Sequence, residues 1–72
     1  MEISKEVKIQ IIENEIAAHL NGKYLLEMRY RVSKKIGASP DELKAITDEL
    51  TKLAAKLDEW ETVKSELEKE SK

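Results

Sequence analysis

Cysteine is absent from the 72 residues, so neither a disulfide nor a thiolate metal site can brace this chain. Phenylalanine is absent as well, and proline, tryptophan and histidine occur once each. One histidine without cysteine leaves no ligand set for a structural zinc. No apolar run approaches the roughly 18 residues of a membrane span. The opening MEISKEVK carries no apolar core of the signal-peptide kind, so a soluble cytoplasmic protein with no membrane partner is expected. There is no glycine-rich phosphate loop, no cysteine nucleophile and no convincing Ser-His-Asp set. No catalytic residue and no cofactor are therefore assigned, and the chain is not expected to be an enzyme.

What the chain does contain is charge and helix formers. Charged residues make up 39% and hydrophobic ones 40%, a composition typical of long helices and coiled coils. A chain of this size forms one domain, 1–72, and buries too small a core to be comfortable alone. With disulfides and metal excluded, oligomerisation is the remaining remedy. The net charge of −2 hides a strong asymmetry. Residues 1–22 carry four Glu and two Lys, a net −2; residues 23–37 carry five bases against Glu27, a net +4. Residues 38–72 carry ten acids and six lysines, a net −4.

The turn is the clearest local signal. In IGASPDEL, Gly37 suits the residue just past a helix end. Ser39 suits an N-cap, Pro40 the first helical position, and Glu42 completes a capping box. These cues predict a helix over about 4–36, a turn at 37–39 and a second helix over about 40–69, with the closing EKESK fraying. Asn21-Gly22 is a potential helix breaker. However, apolar residues recur every fourth position straight through it, from Ile12 to Ile36, which favours one continuous helix.

The second helix has a heptad seam of Leu43, Ile46, Leu50, Leu53, Leu57 and Trp60, rejoined by Leu67. Lys44–Asp48, Asp48–Lys52 and Lys64–Glu68 are spaced for exposed ion pairs. Folding back at the turn sets Val32 against Ile46, Leu25 against Leu53, Ala18 against Trp60 and Ile11 against Leu67. On that reading the second helix covers Val7, Ile11, Ala18, Leu25, Met28, Val32 and Ile36. Ile9, Ile12, Ile16, His19 and Leu20 are left uncovered as an oligomer interface. The expected architecture is all-α: an antiparallel two-helix hairpin assembling with itself into a four-helix or larger homo-oligomeric bundle. Glu15 and His19 stand four apart, but bundle metal sites need more ligands than two, so no metal site is assigned. His19 is read as an interface residue that could make assembly sensitive to pH.

Beyond Leu20 the interface stripe turns basic. Lys23, Tyr30, Arg31 and Lys34 share that face, with Tyr24 and Lys35 at its edge. Arginine can hold phosphate through two hydrogen bonds, and tyrosine offers a stacking ring and a hydroxyl. Lys23, Tyr24, Tyr30, Arg31 and Lys34 are thus the candidate ligand residues for an anionic small molecule such as a cyclic nucleotide. The plainer alternative is that Glu27 pairs with Arg31 and Lys23 on a solvated face, with the bases offsetting the helix macrodipole.

Two resemblances bear on function. VSKKIGASPDELKAI resembles the turn of helix-turn-helix DNA-binding domains at Val32, Ile36, Gly37, Leu43 and Ile46. Asp41, Glu42, Asp48 and Glu49 on the would-be recognition helix argue against DNA as a partner, because phosphates repel them. As a whole, including KYLLEMRYRVSKKIGA, the chain resembles the short helical-hairpin proteins of phage and prophage genes. Some of those are small oligomers that sequester nucleotide signals of bacterial immunity. That resemblance implies a phage-type sponge in the host cytoplasm. The rival expectation is a structural or adaptor protein that docks a partner helix on the isoleucine stripe.

Overall fold

Both helices begin on a serine. The computed structural model describes residues 2–70. Helix α1 spans Lys5–Lys35 and α2 spans Pro40–Lys69. Ser4 caps α1, its Oγ accepting a hydrogen bond from the Val7 amide at 3.3 Å. Ser39 and Glu42 form the expected reciprocal box: the Glu42 amide donates to Ser39 Oγ at 3.2 Å and the Ser39 amide to Glu42 Oε1 at 3.4 Å. Pro40 occupies the first turn, where its missing amide proton costs nothing.

The end of α1 is closed by a Schellman arrangement. The Gly37 amide donates to the Lys34 carbonyl and the Ala38 amide to the Ser33 carbonyl, at 3.3 and 2.9 Å. Gly37 has φ of +84°, a conformation that a Cβ would penalise. Asn21-Gly22 does not interrupt α1, in agreement with the apolar residues that continue through it. Gly22 lies on the side facing α2, where a Cβ would meet Leu53 Cδ2 at an ordinary 3.7 Å. Glu68 and Lys69 of the closing EKESK are helical, against the expected fraying; Ser71 and Lys72 lie outside the described residues.

The helices pack antiparallel in a rod of 54 × 17 × 14 Å. Four contacts fix the alignment. Lys5 Nζ donates to the Glu68 and Glu70 carbonyls, Glu13 pairs with Lys64, the His19 ring stands near Trp60, and Gly22 lies beside Leu53. The axial alignment is the one read from the sequence, with Trp60 near residues 18 and 19.

The rotation of α1 about its own axis is not. Ile9, Ile12, Ile16 and His19 are half-buried on the α2 side, with Leu26, Tyr30 and Ser33 continuing the line. Of the residues expected under α2, Val7, Ile11, Ala18, Leu25, Val32 and Ile36 are exposed, and Met28 is half-buried. The stripe read as an outer interface is therefore the inner seam of the hairpin, apart from Leu20, which stays half exposed. The physical reason is periodicity. Residues 9, 12, 16, 19, 23, 26, 30 and 33 alternate three and four apart for the whole helix, matching the seam of α2. A strict four-residue repeat drifts off any straight seam. Lys23 and Ser33 are polar members of the seam, and they disguise it when only apolar residues are counted.

The seam closes incompletely. Leu57 is the one residue buried among those described, and no side chain is wholly sequestered.

Candidate functional site

Two surfaces of α1 carry chemistry that the hairpin does not consume. The first is its outer face. Val7, Ile11, Ala18, Leu25 and Val32 repeat at heptad spacing, with Asn14, Asn21 and Met28 filling the intervening positions and Ile3 and Ile36 at the ends. Ile36 is 77% exposed, Val32 58% and Ile3 53%. Leu25, Ile11 and Val7 are about half exposed. This is a second coiled-coil seam on one helix. Helix α2 has no counterpart: Leu43, Ile46, Leu50, Leu53, Trp60, Val63 and Leu67 are half-buried, and the rest of its surface is charged, hydroxylated or alanine. An apolar stripe of this length, interrupted only by Asn14, Ala18 and Asn21 at its middle, marks an interaction surface.

The second surface is the basic end of α1. Tyr30, Arg31, Lys34 and Lys35, together with Met28, Val32 and Ile36, line a shallow, open depression. Arg31, Lys34 and Lys35 are exposed, and among the described residues none forms an ion pair with a carboxylate. The Lys34 ammonium stands 6.0 Å from the centre of the Tyr30 ring, at the outer limit of a cation–π contact. Of the five ligand candidates, the structure gathers Tyr30, Arg31 and Lys34 at this depression. Lys23 turns half-buried toward the seam, and Tyr24, 64% exposed, stands a turn and a half away. Lys35 joins the group, as its edge position in the sequence suggests. The apolar members were missed because they had been assigned to the hairpin seam.

Between the two helices lies a small polar patch. His19 Nδ1 sits 2.8 Å from the Glu15 backbone carbonyl, which can only accept, so the ring proton belongs on Nδ1. The Glu15 carboxylate is 3.5 Å from the same nitrogen, and the ring is tilted 59° to Trp60 at 6.4 Å between centroids. Local hydrogen bonding and packing account for His19 fully. Among the described residues, no three of His, Asp and Glu gather as a metal site requires. Lys64 pairs with Glu13 at 3.1 Å across the hairpin, and not with Glu68 as its spacing suggested; the hydrogen bond and charge of Glu13 raise the Lys64 pKa. Lys44 and Asp48 pair as expected at 3.0 Å, both exposed, and such a pair contributes little. No helix among the described residues is long and apolar enough to cross a membrane.

Comparison with known proteins adds no family to this picture: no protein-family model, no curated protein and no solved structure matches the chain.

Proposed function

We propose that this protein is a non-enzymatic helical interaction module. The hairpin is half of a bundle, and the outer face of α1 docks a second helical hairpin to complete a four-helix or larger assembly. One observation carries the reading: a second heptad seam, Ile3 to Ile36, stands open on α1 while α2 has only the seam it uses. Helix-in-groove recognition works through apolar anchors at such spacing. The shortage of core supports it further, because a chain with one buried residue among those described has much to gain from burying more.

The test is site-specific photo-crosslinking in the cells that make the protein. A photoreactive residue at Val32 or Leu25 should give discrete protein adducts, whether to this chain or to another. The same residue at Lys52, on the outer side of α2, should give none. Absence of adducts at both α1 positions contradicts the module.

A second reading has its own observation. The unpaired Arg31, Lys34 and Lys35 beside Tyr30 suit a phosphate-bearing small molecule, which is the chemistry of the nucleotide-sponge expectation. Arg31→Ala should then weaken nucleotide binding by about 1.5–3 kcal/mol, read by calorimetry, because the lost hydrogen bonds are charge-assisted. No heat with any cyclic or linear nucleotide removes this reading and leaves the interaction module standing.

A further inference from the structure

We infer that the helix received by the outer face of α1 is the α1 of a second copy of this chain, lying antiparallel to it. The inference rests on the interaction-module reading and names its partner.

The face is complementary to itself when reversed. Its large aliphatic residues fall into two groups: Ile3, Val7 and Ile11 near the N-terminus, and Leu25, Val32 and Ile36 near the C-terminus. Between them lies a waist of Asn14, Ala18 and Asn21. Reversing a second α1 places the first group over the second at both ends and the waist over itself. Small and polar residues then meet at the two-fold axis, where the amides of the waist can satisfy one another. Polar residues within an otherwise apolar seam set register and orientation. The Asn14 side chain is accessible and already accepts from Gln10 at 3.1 Å, so the waist carries hydrogen-bonding groups to its surface.

Charge selects the same orientation. Residues 1–22 carry a net −2 and residues 23–37 a net +4. The antiparallel arrangement sets each acidic half beside a basic half. A parallel arrangement stacks two segments of +4 against each other, which like-charge juxtaposition penalises. The other side of the hairpin offers nothing to compete, because the outer surface of α2 carries no large apolar residue and is acidic at both ends.

The size is adequate. A stable interface takes about 800 Å² from each partner, about a seventh of the 5819 Å² that the chain exposes. The stripe runs the full 31 residues of α1, about 46 Å of helix. Interfaces of this class hold in the micromolar range or tighter.

The absence of cysteine makes the test direct, because any introduced thiol is unique. Single variants Ala18→Cys, Ile11→Cys and Leu25→Cys are treated with a short bifunctional thiol crosslinker, alone and as mixtures. The expected result is self-linking of Ala18→Cys at the two-fold axis. Ile11→Cys and Leu25→Cys, level with each other when Ala18 lies on the axis, should link efficiently when mixed and poorly alone. Efficient self-linking of Ile11→Cys and Leu25→Cys alone means a parallel pair and overturns the inference. Sedimentation of the unmodified protein at about 10 µM should give a dimer or a multiple of it. Val32→Glu should raise the dissociation constant at least about tenfold for each layer disrupted. Lys52→Glu should leave it unchanged. A folded monomer at 10 µM that nonetheless gives adducts to a different protein in cells overturns the self-docking while leaving the module reading intact; a monomer with no adducts removes both.

Discussion

The two helices have similar lengths and compositions and use them differently. Helix α2 is one-sided: all its large apolar residues face α1, Leu57 among them buried. Helix α1 is two-sided: one heptad seam faces α2 and a second faces away. A one-sided amphipathic helix is satisfied by one neighbour. A two-sided one is not, and its leftover side is the apolar surface still open to contact.

The comparison can be broken most visibly by deleting the same atoms from each side. Leu57→Ala should lower stability by about 2–5 kcal/mol in urea unfolding, enough to unfold much of the population. Leu25→Ala, at concentrations below the association range, should cost less than about 1 kcal/mol, because an exposed side chain has little burial to lose. The gap should narrow as concentration rises and Leu25 becomes covered. Equal costs in dilute solution would mean that Leu25 is buried within the hairpin and that the faces are exchanged.

Gly37→Ala comes next. Forcing a Cβ into the left-handed region should cost about 1–2 kcal/mol by the same measurement. The turn sets the phase between the helices, so this variant tests whether their facing surfaces are fixed there.

Gly22→Ala should act in the opposite direction. The added methyl would meet Leu53 at ordinary contact distance in a continuous helix, so stability should rise by about 0.5–1 kcal/mol. A loss instead would show the helices closer together at this point.

The smallest expected effect belongs to Glu13–Lys64. The folded Lys64 pKa is raised above its unfolded value, so the pair's contribution is complete below about pH 10.4. It is lost as pH climbs through the higher folded value. The urea midpoint of the wild type should therefore fall more steeply above that pH than the midpoint of Glu13→Gln.

How far the sequence could be read depends on how local each signal is. The caps, the Pro40 start and the Gly37 stop were legible because each is chemistry between residues within five positions. The axial alignment was legible because a short turn leaves little freedom in which residues lie level. The rotation of α1 was not. It turns on a choice between two seams on nearly opposite sides of the helix, and the occupied one contains His19, Lys23, Tyr30 and Ser33. Long side chains lay their carbon stems along apolar surface with the polar end outward, so counting hydrophobic residues undervalues such a seam. Choosing the wrong face also inverted the candidate surface, naming Ile9, Ile12 and Ile16 where Val7, Leu25 and Val32 stand open. The basic end fared better. Arg31 and Lys34 are exposed under either rotation, and only Lys23 and Tyr24 lie away from the depression.

If a second copy covers the outer face of α1, stability must depend on protein concentration. The direct measurement is thermal unfolding by circular dichroism over a hundredfold range of protein concentration, from about 1 µM upward. The account predicts a midpoint that climbs steadily with concentration for the wild type and stays flat for Val32→Glu. A wild-type midpoint independent of concentration, with helix content unchanged, would rule out coverage by a second copy.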